Sequence, residues 1–344
     1  MKRIIILTLV LSLLVLPMTG CKQANTASGG KISIVCTVFP QYDWTRQILG
    51  DKAGDVELTL LINNLIDLHN YQPAVVDIAR IAVCDLFIYV GGNSDKWVDG
   101  ALNQAINRNM IVINLLEVLG DSAKLEEMLE GMEEDHDHDD DHGDDHDDDH
   151  DDDHDDDQGD DHDDYMEFDE HVWLSLGNAA VFCAAITDAL VSLDKDNAEL
   201  YKNNLESYTA RLRALDEEYI RAVEAAPVRT LLFADRFPFR YLMDDYGLTA
   251  YAAFSGCSAE TEASFETFIF LAGKVDELGL KTVMVTESAD QSIARTVINN
   301  TANKNQQILV LDAMQSVTAS DVNNGTTFIS IMESNLQVLK DALR

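Results

Sequence analysis

The chain alternates between short β-rich runs and helical segments, and it does so twice. Four runs rich in apolar and β-branched residues precede residue 135, and four more follow residue 228. Strand–helix alternation predicts α/β layering around largely parallel sheets. We therefore expect an α/β fold with two similar lobes, each built on a mainly parallel four-stranded sheet. The predicted strands are 32–39, 56–62, 86–91, 110–115, 229–234, 248–254, 281–286 and 307–311, with helical periodicity at 73–82, 262–278 and 292–303.

One long helix is predicted between the two sets of strands. Residues 197–226 contain neither glycine nor proline, and apolar residues recur there at spacings of three and four. This pattern predicts a helix of about 30 residues, roughly 45 Å long, which would join the lobes stiffly. The alternative is a helix packed within one lobe. The predicted organisation is an N-terminal lobe at 31–193, a linking helix at 194–226 and a C-terminal lobe at 227–344.

The charge balance narrows the range of partners. The chain has 62 acidic and 24 basic residues, for a formal net charge of −38, and 46% of its residues are hydrophobic. That much apolar material excludes a disordered chain. The negative charge repels nucleic-acid phosphates and attracts cations. We therefore predict no nucleic-acid partner.

More than half of this charge lies in one tract, residues 135–164. The tract contains 20 Asp, seven His, two Gly and one Gln. Closely spaced aspartates repel one another and are poor helix formers, so we expect a disordered loop. Imidazole and carboxylate groups both bind divalent metals, which predicts an auxiliary, weak metal-binding loop. Its histidines are His136, His138, His142, His146, His150, His154 and His162.

The N-terminus resembles a bacterial lipoprotein export signal. Two basic residues precede an apolar run at 4–16, which is shorter than the roughly 20 residues of a membrane-spanning helix. The following Leu16-Pro17-Met18-Thr19-Gly20-Cys21 resembles a lipobox. We predict a signal peptide at 1–21, lipid anchoring of an extracytoplasmic protein to the bacterial cell membrane at Cys21, and a flexible tether at 22–30. An ordinary cleaved signal is the alternative.

The remaining cysteines do not form a recognisable metal or redox motif. They are Cys36, Cys84, Cys183 and Cys257, and no two are spaced as CxxC. Their wide spacing leaves both disulfides and buried free thiols open.

Only two histidines lie outside the acidic tract. His69 lies in Asp67-Leu68-His69-Asn70-Tyr71-Gln72-Pro73, and His171 lies in Asp169-Glu170-His171-Val172-Trp173. Both segments connect predicted strands to helices, where open α/β sheets bind ligands. The neighbouring acidic residues would orient the imidazoles as metal ligands. The sequence therefore predicts a metal site that includes both histidines.

These motifs together resemble the zinc/manganese solute-binding lipoproteins of ABC importers, in particular the high-affinity zinc-uptake, ZnuA-like branch. Tyr246-Gly247-Leu248 and Asn335-Leu336 add to the resemblance, which extends over about residues 31–344. It implies the metal-receptor fold of this family, in which one rigid helix joins two lobes and a single metal lies in the cleft. His69 and His171 would be ligands from the N-terminal lobe.

The C-terminal lobe departs from the family pattern. The third histidine expected about ten residues before Tyr246 is replaced by Arg236, and a guanidinium cannot ligate a metal. Either Asp235 replaces it, with Arg236 turned away, or the site has fewer protein ligands. The resemblance places the fourth ligand at Asp312. Glu287 is a further candidate, or else a residue that bonds to the helix after it.

The resemblance implies a binding protein and not an enzyme. It would capture Zn²⁺ and deliver it to an ABC-transporter permease, and we expect a monomer. A ligand set of two histidines and two carboxylates leaves Mn²⁺ or Fe²⁺ as alternative cargo. A surface zinc buffer and an exported zinc hydrolase are the other functions considered, although the chain contains no HExxH or GxSxG motif.

Overall fold

Two parallel sheets form the framework of the protein. The computed structural model describes residues 31–132, 167–256 and 263–344. Within them, the strand order is β2-β1-β3-β4 in one sheet and β6-β5-β7-β8 in the other, so both sheets are connected in the same way. The strands are β1 Ser33–Cys36, β2 Glu57–Leu60, β3 Leu86–Tyr89, β4 Ile111–Asn114, β5 Thr230–Phe237, β6 Thr249–Ser255, β7 Thr282–Val285 and β8 Gln307–Val310.

The predicted α/β class, two lobes and parallel sheets are confirmed. All eight predicted runs contain a strand, because runs of apolar and β-branched residues suit strands covered by helices on both faces. The central strands β1 and β3 are nearly all buried. Strand β5 runs three residues beyond its predicted end at 234, and a register shift interrupts its pairing with β6 between Phe233 and Arg236.

The long helix spans Ala198–Glu224, 27 residues, and joins the lobes as predicted. It packs on helices of both lobes, namely Leu176–Leu193 and Phe39–Leu49 from the first and Arg240–Tyr246 and Phe328–Ala342 from the second. The alternative of a helix confined to one lobe is therefore wrong. Its apolar stripe is buried, as the spacing predicts: Tyr201, Tyr208, Leu212, Leu215, Tyr219 and Val223.

The other helices cover the two sheets. Leu176–Leu193 is long and apolar enough to pass a membrane-span test by composition, but 44% of it is buried inside the protein, where it packs on the linking helix. The remaining α-helices are Val75–Val83, Trp97–Asn103, Leu115–Leu119, Phe265–Leu278, Ser292–Asn300 and Ala319–Asn323.

Several contacts hold the lobes together. The Trp173 indole Nε1 donates to the Ala313 carbonyl at 2.9 Å, and Lys124 Nζ lies 2.7 Å from Asp244 Oδ2. The buried Asp43 carboxylate accepts a hydrogen bond from the Phe328 amide at 2.9 Å. Residues 32–344 accordingly form one compact unit. The lobe boundaries at 193, 226 and 227 stay predictions.

Several predicted features lie outside the described residues: the signal peptide with Cys21, the tether 22–30, the acidic histidine tract and Cys257. Among the cysteines that the structure describes, Cys36, Cys84 and Cys183 are buried free thiols and not disulfides.

Candidate metal centre

The structure brings His69 and His171 together. Their Nε2 atoms are 3.3 Å apart and their ring centroids 5.2 Å apart, although 102 residues separate them in the chain. Two nitrogen ligands at about 2.0–2.1 Å on a tetrahedral zinc ion would be about 3.3–3.4 Å from each other. The spacing of the two nitrogens therefore fits two ligands of one zinc ion.

The same local motif holds both histidines. In each case the carboxylate two residues earlier accepts a hydrogen bond from the histidine amide, at 3.1 Å for Asp67 and His69 and at 2.8 Å for Asp169 and His171. Both motifs open short 3₁₀ turns, Leu68–Asn70 and Val172–Leu174. An Asp-x-His sequence before a turn thus fixes the backbone of each imidazole.

The second ring nitrogens are also held. Asp169 Oδ1 lies 3.0 Å from His171 Nδ1, and Ser94 Oγ lies 2.7 Å from His69 Nδ1. A carboxylate only accepts, so His171 must carry its proton on Nδ1, which leaves the Nε2 lone pair for a metal. The Ser94 hydroxyl can accept in the same way from His69. These bonds orient both rings for coordination through Nε2.

Burial and nearby charges set the protonation of the pair. Burial, the positive charge of His171 and that of Arg236 lower the pKa of His69 to about 4, so its imidazole is neutral at pH 7. Burial also acts to lower the pKa of His171, but the bond to Asp169 and the surrounding carboxylates outweigh it and raise the pKa. The carboxylates thus favour a positive charge at the His171 ring.

Glu170 supports the His69 side of the site. It is buried, its Oε1 accepts from the Ser94 amide at 2.9 Å, and its Oε2 lies 3.5 Å from His69 Nδ1. Gly92 lets the loop close over this carboxylate, since its φ is +80° and a Cβ there would lie 2.4 Å from Glu170 Oε1. Burial raises the pKa of Glu170.

Gly256 lies against the other histidine. A Cβ at this position would be 3.1 Å from His171 Cε1 and 2.8 Å from the Phe237 carbonyl oxygen. Any larger residue would push the ring or the strand, so the glycine permits a close approach of the C-terminal lobe to His171.

Gln315 is the C-terminal residue that contacts the histidine pair. Its Nε2 lies 3.0 Å from His171 Nε2. Glu287 holds its loop, because Glu287 accepts from the amides of Ala313 and Gln315 at 2.8 and 2.9 Å. Both candidate roles of Glu287, as a ligand and as a partner of the following helix, give way to this anchoring contact. A side-chain amide can turn to present Oε1 to a metal.

Arg236 is not turned away from the site. Its Nη2 lies 2.9 Å from Asp67 Oδ2, across the junction of the lobes. The neighbouring Asp235 faces the interior of its own lobe, where its Oδ2 accepts from the amide and hydroxyl of Thr286 at 2.8 and 2.6 Å. The shift in strand register before Arg236 separates the two side chains.

Asp312 lies after strand β8, as predicted, and its Oδ1 accepts from the Met314 amide at 2.7 Å. Burial and the charge of Glu287 raise its pKa to about 7. Within residues 31–132, 167–256 and 263–344, no group of three or more His, Cys, Asp or Glu side chains is arranged to hold a metal. The structure therefore brings His69 and His171 together but does not add Asp235 and Asp312 to them. Their role as ligands stays a prediction.

The whole site is built from segments that follow the carboxyl ends of strands. His69 follows β2, Ser94 follows β3, Arg236 lies near the end of β5 and Gln315 follows β8. Parallel strands bring such segments to one edge of each sheet. The fold and site thus define a two-lobed α/β binding protein with a histidine pair where the lobes meet.

The chain belongs to the ZnuA family, described as zinc-uptake complex component A, periplasmic, whose profile matches residues 34–342. The family resemblance is therefore confirmed. The chain is 30% identical to the high-affinity zinc uptake system protein ZnuA of Bacillus subtilis, over 94% of this chain and 92% of that protein.

Two further comparisons involve Streptococcus pneumoniae. The chain is 31% identical to the zinc-binding lipoprotein AdcA over 99% of its own length, and the match spans 61% of AdcA. The crystal structure of the Zn(II)-bound ZnuA-like domain of AdcA is similar, with a TM-score of 0.65 and 28% identity over 91% of this chain and 99% of that domain. These relatives are named for metal binding and transport.

Proposed function

We propose that the protein is the extracytoplasmic metal-binding component of an ABC importer, that it captures Zn²⁺ between its lobes and that it delivers the ion to a membrane permease. The observation that carries the proposal is the 3.3 Å separation of His69 Nε2 and His171 Nε2, with both Nδ1 atoms held by oxygen. The zinc-related names of the relatives support the choice of metal.

The rest of the proposal concerns location and partners. The protein acts as a lipid-anchored monomer, with Cys21 as the anchor, and it is a carrier and not an enzyme. The acidic histidine tract collects zinc weakly outside the cleft, since a set of ligands without fixed geometry loses conformational entropy at each binding event. The lipoprotein name of AdcA supports the anchor.

Deletion of residues 135–164 tests the cleft as the tight site. We expect the shortened protein to retain about one zinc ion per chain, with affinity within about threefold of the full chain, while the total zinc capacity falls. Calorimetry and elemental analysis measure both quantities. A full-length variant with the seven tract histidines changed to asparagine is the control, because it keeps the charge and length of the tract.

Two results would count against the proposal. Loss of the tight site from both variants would mean that the tract and not the cleft is the receptor. Competition with manganese tests the metal: saturation of the shortened protein by Mn²⁺ but not Zn²⁺ would replace zinc with manganese as cargo.

A further inference from the structure

The protein supplies few electron pairs to a metal held by His69 and His171. Zinc takes four ligands, and the C-terminal lobe offers the Gln315 amide and the cationic Arg236 at this place. Among the described residues no third His, Cys, Asp or Glu joins the pair in a metal-binding arrangement. Coordination positions are therefore left for a ligand from outside the chain.

The nearest carboxylate is already committed to other partners. Asp67 Oδ1 lies 3.9 Å from His69 Nε2, too far to share a zinc ion through ligand bonds without rearrangement, and it accepts from the His69 amide. Its Oδ2 pairs with Arg236 at 2.9 Å. Binding of a bare dication by Asp67 would require both contacts to be given up.

A cavity of about 310 Å³ lies beside this arrangement. Asn70, which follows His69 directly in the chain, lines it on one side, and Arg236 lines it on the other. Ser288, Gln291 and Phe254 complete the part of the wall that matters here. The volume falls at the small end of ligand pockets, which run from about 300 Å³ upward, and suits a small organic anion.

Arg236 gives the cavity its chemical preference. A guanidinium is always charged, and its planar fork matches a carboxylate through paired hydrogen bonds. Its contact with Asp67 engages one nitrogen, Nη2, and the side chain is 19% exposed. A bare zinc ion near this cation would be repelled, whereas an anion between the two would be attracted to both.

We propose that the cleft binds zinc together with a small carboxylate-bearing chelator, whose donor atoms complete the coordination begun by His69 and His171 and whose free carboxylate pairs with Arg236. The inference rests on the proposed function, because it specifies the form in which that site takes its cargo. It also explains why an arginine that cannot ligate zinc points at the loop carrying His69.

Equilibrium dialysis of the full chain with ¹⁴C-citrate as the probe tests the proposal. We expect about one citrate to be retained per chain, only when zinc is present. Arg236→Gln should weaken this retention at least about tenfold, since charge-assisted paired hydrogen bonds are lost. Arg236→Lys keeps the charge without the fork and should give an intermediate loss. The control is Arg229→Gln, which changes an exposed arginine just before the opposite end of strand β5 and should retain citrate normally.

The outcomes separate this inference from the proposed function. Equal citrate retention in Arg236→Gln and in the unaltered protein would overturn the inference, because the anion would then be held elsewhere. Tight zinc binding that depends on His171 but retains no citrate would also overturn it, and would leave the zinc-receptor function standing. Tight zinc binding that survives His171→Ala would instead contradict the proposed function itself.

Discussion

Replacing His171 with alanine is expected to weaken tight zinc binding at least about 100-fold. The substitution removes one of two nitrogen ligands and leaves Asp169 without the ring that it orients. Loss of a partner that only orients a ligand already costs about 10–100-fold in metal affinity, so loss of the ligand itself should cost more. Competition against a chelator with nanomolar zinc affinity measures the effect, because the weak sites of the tract do not compete at that level.

His162→Ala is the matched control, since it removes one imidazole from the acidic tract and leaves the cleft unchanged. It should keep the tight site within about twofold of the unaltered protein. Thermal unfolding of both variants checks that His171→Ala is folded, because His171 is fully buried. Equal losses in the two variants would show that tight binding does not depend on the cleft histidine.

The second large effect is expected on stability, at Asp43. This fully buried carboxylate accepts hydrogen bonds from Arg46 Nη2 at 2.7 Å and from Gln47 Nε2 at 3.2 Å, as well as from the first amide of the C-terminal helix Phe328–Ala342. Asp43→Ala leaves a partly buried cation and a buried amide without this partner. We therefore expect the free energy of unfolding to fall by about 3–5 kcal/mol.

Urea denaturation followed by circular dichroism measures this change, with zinc removed by a chelator so that only folding is compared. The control is Asp55→Asn, because Asp55 is an exposed carboxylate that pairs with Lys52 at 3.1 Å on the surface. That pair should change stability by no more than about 0.5 kcal/mol. An effect of similar size at both positions would mean that Asp43 does not connect the C-terminal helix to the first lobe.

The sheets could be predicted from the sequence because their signal is local. Strands β1 and β7 consist of consecutive apolar or β-branched residues covered on both faces, and such runs remain visible without knowledge of their partners. The end of β5 could not be predicted. The run of apolar residues stops at Ala234, whereas the strand continues through Asp235 and Arg236 because each finds a tertiary partner, Thr286 and Asp67 respectively.

The histidine pair was predictable for a similar reason. Each imidazole follows an aspartate by two residues on a strand-to-helix connection, and that combination is visible in the chain. Gln315 and Ser94 carry no such signal, since neutral side chains of these types are common in loops. Their contacts depend on how loops 144 and 25 residues away in the chain are folded against the histidines.

Glu287 and Arg236 show the limit of residue type as a guide. A carboxylate at the end of strand β7 suggests a metal ligand, yet Glu287 binds backbone amides and shapes the loop that carries Gln315. The sequence shows that Arg236 cannot ligate zinc, but not that its guanidinium reaches across to Asp67. Both outcomes follow from partners in distant segments, which local patterns do not identify.

The central claim is that His69 and His171 share one zinc ion, and anomalous diffraction at the zinc edge from crystals of the zinc-loaded protein tests it most directly. We predict a single strong peak between the lobes, about 2.0–2.1 Å from both Nε2 atoms. A zinc peak bonded to only one of these nitrogens, or the absence of any peak between the lobes in crystals that contain zinc elsewhere, would contradict the claim.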